Sequence, residues 1–203
     1  MARITNEMYS KLPNLVLGFH GCNITTYEAV VKNGEHLKPS DNDYDWLGNG
    51  IYFWENSYER AYDWACAKYG EDAKVVGAIL DLGFCLNLTD YASTKVLENG
   101  YRILTSMSKK YGLDLPQNQS GRSKTDNLLR NLDCAVIEQV HGYRRRQGYE
   151  PFDSIRGVFT EGGKVYPGSD FVKKTHTQIC IVNPNCIKGY FAPMERNEEF
   201  RIP

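Results

Sequence analysis

The chain has 203 residues, 41% from the hydrophobic set and 24% charged, a globular composition with material for one compact core and a single domain over 1–203. Its 24 Lys+Arg nearly cancel its 25 Asp+Glu, so no global field draws it to nucleic acid or to an anionic membrane, and any such affinity has to be local. No apolar run approaches the roughly 18 residues of a membrane span, and the opening MARITNEMYSKLPNLVLGFHG is too polar for a signal peptide, which predicts a soluble, cytoplasmic protein without a membrane partner.

In chain order, the apolar segment 15–20 reads as a first strand. A helix is predicted next, with Thr25 and Glu28 as a capping box, Ala29, Val30 and Val31 behind them, and Gly34 as a left-handed stop. A second strand is expected over 51–54. The second helix runs from 57 to about 69, where Tyr58, Ala61, Tyr62, Ala65 and Tyr69 keep helical spacing and Gly70 follows. After a strand at 75–82, the polar stretch 116–124 reads as an exposed loop, and 126–141 as a third helix with a core-facing stripe through Leu128, Leu129, Leu132, Ala135, Val136 and Val140. Strands at 178–182 and 187–191 close the pattern, separated only by Asn-Pro-Asn-Cys. Strands and helices do not alternate strictly, which favours a mixed α+β domain over a doubly wound parallel sheet.

The six cysteines, Cys22, Cys66, Cys85, Cys134, Cys180 and Cys186, form no C-x-x-C pair. Reduced thiols packed in the core are the expectation, and no metal site is predicted. Three Asn-x-Ser/Thr matches, beginning at Asn23, Asn87 and Asn118, carry no meaning without a secretory route. No glycine-rich phosphate loop follows any predicted strand, so a bound nucleotide would have to be held by another device.

Three segments carry chemistry. His20 stands at a strand end directly before Gly21, where backbone can approach a ligand; an imidazole satisfied by a backbone partner is the plain alternative. In Gly48-Asn49-Gly50-Ile51-Tyr52-Phe53 two glycines lead into a β-type run and present Tyr52 as its first ring; an ordinary hairpin loop feeding a core strand has the same look. Alternation in 178–182 puts Gln178, Cys180 and Val182 on one face and Ile179 with Ile181 on the other.

Together these segments resemble the ADP-ribosyltransferase superfamily, in its poly(ADP-ribose)-polymerase-like branch, whose signature is His, Tyr and Glu on three strands. His20-Gly21 is similar to the histidine–glycine step, the Gly48 to Phe53 run to the tyrosine segment, and Gln178-Ile-Cys-Ile-Val stands where the glutamate opens its strand. The resemblance runs from about 15 to 191 but rests on its two ends, and 85–155 resembles nothing named. It implies a split antiparallel β-sandwich with flanking helices and NAD, the substrate, in the cleft. His20 would bond the adenosine-side ribose, the Gly21 backbone would hold the carboxamide, Tyr52 would stack on the nicotinamide, and a second aromatic, assigned to Tyr62 on the following helix, would pack there too.

Gln178 departs from the family pattern. Cleaving the nicotinamide–ribose bond develops positive charge that a carboxylate stabilises, and Gln178 has no charge to give. Glu161 is the candidate for the missing carboxylate or acceptor-activating base, with Asp153 and Glu55 as weaker candidates and a solvated loop acid as the plain alternative. Glycines at 162, 163 and 168 suggest a loop able to move over NAD. The resemblance implies a mono-ADP-ribosyltransferase acting on a protein or nucleic acid, in the manner of a bacterial toxin or phage-defence enzyme with a neutralising antitoxin partner. An NAD glycohydrolase and a degenerate NAD-binding module are the alternatives. Tyr143-Arg144-Arg145-Arg146-Gln147-Gly148-Tyr149, with Arg156, is the type of surface that grips phosphates, or else a cationic helix end.

Overall fold

The computed structural model describes residues 15–121 and 126–202. Its frame is a seven-stranded, mostly antiparallel sheet flanked by helices, an α+β fold. In chain order the strands are β1 (Val16–Asn23), β2 (Ile51–Glu55), β3 (Ala73–Leu80), β4 (Cys85–Asn87), β5 (Asn118–Gln119), β6 (Leu129–Arg130), β7 (Ser154–Phe159), β8 (His176–Ile181) and β9 (Ile187–Phe191). The sheet order is β4-β7-β8-β2-β1-β3-β9, with β5 and β6 forming a separate short ladder. The seven strands from β4 to β9 in that order are hydrogen-bonded into one sheet. That sheet is joined at its middle by only two residue pairs, Gly18–Glu55 and Phe19–Trp54.

Local chemistry moves several boundaries from their expected places. Asn23, not Thr25, caps the first helix, its side chain accepting from Thr26 N at 2.9 Å, so α1 begins at Ile24–Tyr27 and continues as a π-helix over Glu28–Lys32. Helix α2 (Tyr58–Tyr69) ends at Gly70 with φ of 59°. Helix α3 (Tyr91–Tyr111), capped by Asp90, was not foreseen. Its Gly100 reads as a breaker, yet a Cβ there would meet Val140 Cγ2 at 2.6 Å, so the glycine lets two helices approach closely. The partner is α4 (Asn131–Arg146), which starts five residues later than expected because Leu129 and Arg130 pair with Gln119 and Asn118. Asn118 Oδ1 then accepts from Leu132 N at 3.0 Å and caps the helix from a distance. Of the exposed loop expected over 116–124, positions 122–124 lie outside the described residues.

The alternation expected along β8 separates two cores. Ile179 and Ile181 join Ile51, Phe53, Val76 and Leu80 on one face. Cys180 joins Leu47, Leu86, Ile137 and Ile155 beneath α3 and α4 on the other. Burying such side chains, at about 1.5–3 kcal/mol each, supplies most of the drive to fold. A smaller cluster of Trp54, Ala61 and Val75 seats α2 on the sheet. All six cysteines are free thiols, five of them buried. Burial pushes Cys22, Cys85, Cys134 and Cys186 up to about 11. No helix among the described residues is long and apolar enough to cross a membrane.

Candidate functional site

The site lies where the sheet comes apart. Beyond Phe19 and Trp54, β1 and β2 diverge, and a cavity of about 380 Å³ opens in the gap, within the range of small-molecule sites. His20, Gly21, Tyr52, Glu161 and Gln178 all line it. At the parting, His20 Nδ1 donates to the Tyr52 carbonyl at 2.8 Å, replacing a ladder bond that the strands no longer make. A carbonyl only accepts, so Nδ1 carries the proton and Nε2 is an acceptor. Burial pushes the imidazole's pKa down, which keeps it neutral.

Gly21 is placed by two constraints. The Leu17 carbonyl accepts from Asn56 N at 2.9 Å, so strand alternation turns the N–H and C=O of Phe19 and Gly21 the same way. For Gly21 that direction is the gap, opposite Tyr52. A Cβ at Gly21 would stand 2.5 Å from the Ala61 carbonyl oxygen, so α2 packs against bare backbone.

Tyr52 presents its ring to the cavity while its hydroxyl turns into the preceding loop, accepting from Leu47 N at 2.9 Å and donating to the Gly48 carbonyl at 2.8 Å. Burial pushes this phenol far above its ordinary pKa. The Gly-Asn-Gly turn is itself dictated by packing. Gly48 has φ of 79°, Asn49 N donates to Glu138 at 2.8 Å, and a Cβ on Gly50 would meet the Ile181 carbonyl at 2.6 Å.

Gln178 opposes Trp54 on β2 and Gly157 on β7. Gly157 leaves room for the Trp46 ring, whose Cη2 a Cβ there would meet at 2.7 Å. Trp46 Nε1 donates to Gln178 Oε1 at 2.6 Å. An indole N–H only donates, so the amide is held oxygen toward Trp46, and its NH2 is the side it offers elsewhere.

Glu161 faces the same cavity as an ion pair, not as a lone acid. It meets Arg60 Nη2, while Arg60 Nη1 pairs with Asp63 at 2.9 Å and Lys174 binds Asp63 at 2.8 Å. The other acids are committed elsewhere. Glu55 holds Arg156 through two bonds of 2.5 and 3.1 Å. Asp153 accepts from Phe84 N at 2.8 Å and Asn183 Nδ2 at 2.7 Å, joining three chain segments. The segment after Glu161 is folded back on itself, with Lys174 N bonded to the Glu161 carbonyl at 2.9 Å and Lys173 N to Gly163 at 3.0 Å. Gly162, Gly163 and Gly168 supply its positive φ values.

One expectation needs correction. Tyr62 does not reach the cavity: it stacks on Tyr58 at 5.9 Å and 11° and is exposed. On α2 the aromatic residues lining the cavity are Trp64 and Tyr69, because a helix with Ala61 and Ala65 buried carries position 62 outward and 64 inward. The arginine run is divided, with only part of it open. Arg144 lies over Phe152 at 4.5 Å and donates to the Glu150 carbonyl, and Arg156 is paired with Glu55. Arg145 and Arg146 stay exposed at the negative end of α4, and none of the four lines the cavity.

Neither motif nor spacing singles out Trp46, Trp54, Arg60 or His176, yet all four line the cavity. His176 is buried, its Nδ1 donates to the Lys174 carbonyl at 2.7 Å, and burial drives its pKa down to about 4. It stacks on Phe159 at 5.6 Å and 25°. Its signal was weak, a histidine two residues before Gln178 on the same strand face. Lys38 and Lys68 add cations to the wall. The walls thus combine aromatic faces, two neutral imidazoles, the cations Lys38, Arg60 and Lys68 and the acids Asp45 and Glu161. Among the described residues no group of His, Cys, Asp and Glu converges as metal ligands.

The chain is 27% identical to an uncharacterized protein of Methanocaldococcus jannaschii over 192 residues, which cover 84% of this chain and 83% of that protein. No protein-family model matches the chain. No solved structure matches it either.

Proposed function

We propose that the cavity binds NAD and that the chain is a mono-ADP-ribosyltransferase, releasing nicotinamide and passing ADP-ribose to a protein or nucleic-acid acceptor. The observation that carries this is the parted pair of strands, beyond which the Gly21 backbone faces the gap and Tyr52 lines the same cavity. One donor and one acceptor from the same residue match a primary carboxamide, and an aromatic face matches a pyridinium. Gly21 holds the amide, Tyr52 stacks on the ring, and neutral His20 Nε2 accepts from a ribose hydroxyl. Lys38 and Lys68 supply charge for the diphosphate. The finer fold assignment, an ADP-ribosyltransferase-like split β-sandwich, goes with this proposal and is supported by the two-pair seam between the half-sheets.

A second proposal, a module that binds NAD without turning it over, is favoured by Gln178 and Glu161. The carbonyl of Gln178 is engaged by Trp46, and the charge of Glu161 is balanced by Arg60. Incubation of the purified protein and a cell lysate with adenylate-labelled NAD separates the two. Transfer of label with stoichiometric nicotinamide release, lost in Tyr52→Ala and His20→Ala, supports the transferase. Nuclease or protease sensitivity of the label names the acceptor class. Label released only as free ADP-ribose would make the protein a glycohydrolase, and tight NAD binding without nicotinamide release would make it the module. Growth arrest on expression in bacteria, relieved by Tyr52→Ala, would support a toxin role.

A further inference from the structure

Three buried polar atoms of the described residues meet no hydrogen-bond partner within the protein and belong to one corner of the cavity: Trp54 Nε1, Arg60 Nε and His176 Nε2. Trp54 and His176 are 5% and 8% exposed, so neither atom is satisfied by bulk water. Leaving such groups unpaired costs roughly 1–3 kcal/mol each. They share one neighbourhood. The Trp54 ring lies 6.2 Å from the His176 ring and 5.9 Å from Arg60 Cζ.

The chemistry of the three atoms is unequal. The indole and the guanidinium Nε only donate. His176 Nδ1 spends its proton on the Lys174 carbonyl, so Nε2 is a bare acceptor. The corner therefore presents two donors and one acceptor. A carboxylate or carbonyl oxygen has no proton for His176, and an ammonium has no lone pair for Trp54 and Arg60. A hydroxyl oxygen has both, accepting twice and donating once.

We propose that Trp54, Arg60 and His176 form a subsite for one hydroxyl oxygen, which is water in the free protein and an alcohol of the ligand in the complex. The depressed pKa of His176, about 4, keeps Nε2 unprotonated at neutral pH, as the subsite requires. The other nitrogens of Arg60 are held by Glu161 and Asp63, so Nε is the one free to point at the oxygen. The subsite does not depend on the proposed NAD reaction, since its demand follows from the three atoms alone. Within that reaction it would seat the hydroxyl that receives ADP-ribose, and Glu161 would act through Arg60 as a positioning residue.

The test is a crystal structure of the ligand-free protein at a resolution that shows ordered water, together with crystals soaked in glycerol and in ADP-ribose as hydroxyl-bearing probes. An oxygen within hydrogen-bond distance of all three atoms is expected in the free protein. A probe hydroxyl replacing it supports the ligand subsite, whereas water retained under both probes overturns the ligand half of the proposal. An empty corner, or an oxygen that touches neither His176 Nε2 nor Trp54 Nε1, overturns it. In solution, water-to-indole magnetisation transfer at the Trp54 N–H should persist in His176→Gln, which keeps an acceptor, and fall in His176→Phe, which does not. Equal transfer in both variants would also overturn the proposal. Neither measurement requires turnover, so failure of the transferase proposal leaves this result readable.

Discussion

Changing Gln178 to Glu replaces one NH2 with an oxygen, leaves the side chain's length and shape intact, and adds the charge that the proposed glycosyl-bond cleavage calls for. Trp46 Nε1, 2.6 Å from Oε1, donates to a carboxylate as readily as to an amide, so the side chain stays where it is. The second oxygen then takes the place of the NH2 group. A negative charge ~4 Å from the developing cation at an effective dielectric of 20 is worth about 4 kcal/mol, roughly a thousandfold in rate. Two features reduce that figure. Burial disfavours ionisation of the new carboxyl, and Glu161 already contributes charge nearby, although Arg60 compensates it. We expect nicotinamide release to rise by about ten- to a thousandfold at saturating NAD, and the gain to grow with pH until the new acid is ionised. The assay is nicotinamide release by wild type and variant across the neutral range, with thermal unfolding as a control for folding. A folded variant that binds NAD and gains nothing would mean that charge at position 178 is not what the reaction lacks, and the comparison with glycosyl-bond cleavage would fall.

Glu161→Gln leaves Arg60, whose side chain is 14% exposed, facing an uncharged acceptor in place of its ion-pair partner, so it should lower stability by about 1–3 kcal/mol, read in urea unfolding; wild-type stability with lost turnover would instead mark a directly acting acid. Gly21→Ala should cost about 1–3 kcal/mol through the 2.5 Å approach to Ala61 O, and should loosen α2 as seen by hydrogen exchange; an unchanged melting temperature would refute the packing argument. Acid should destabilise the protein through His176, whose folded pKa of about 4 lies below the ordinary 6.5. The unfolded chain binds the extra proton, so the contribution is whole above pH ~6.5, falls as pH drops and is gone below ~4; screening by the open cavity brings it to about 2 kcal/mol. Burial lowers the pKa of His20 and His141 as well, adding losses of the same sign. His176→Phe should flatten that part of the stability profile, and an unchanged profile would assign the loss to other groups.

Elements with strong local signals were legible in the sequence, and those made by tertiary contact were not. Strand β9 and helix α2 stand close to where an apolar segment after turn residues, helical spacing and Gly70 put them. Helix α3 escaped notice because Gly100, required by the close approach of Val140, interrupts its pattern. Strand β7 was hidden likewise by Gly157, which is small to admit Trp46 from a loop more than a hundred residues away in the chain. Within the site, motif and spacing point to His20, Gly21, Tyr52, Glu161 and Gln178, which line one cavity. What spacing could not reveal was pairing. That Arg60 neutralises Glu161, that Trp46 fixes the Gln178 amide, and that Trp64 rather than Tyr62 turns inward all depend on segments meeting in space.

Helix α2 follows directly from β2 yet packs on β1 and β3, with Ala61 and Ala65 wholly buried beneath it. It therefore straddles the seam and ties the half-sheets together on one side, as the His20 imidazole does on the other. A slot bounded by two such fasteners has its width set before any guest arrives. Widening it means breaking the bond from His20 to the Tyr52 carbonyl or shifting α2, so a guest matched to the existing gap is spared that cost.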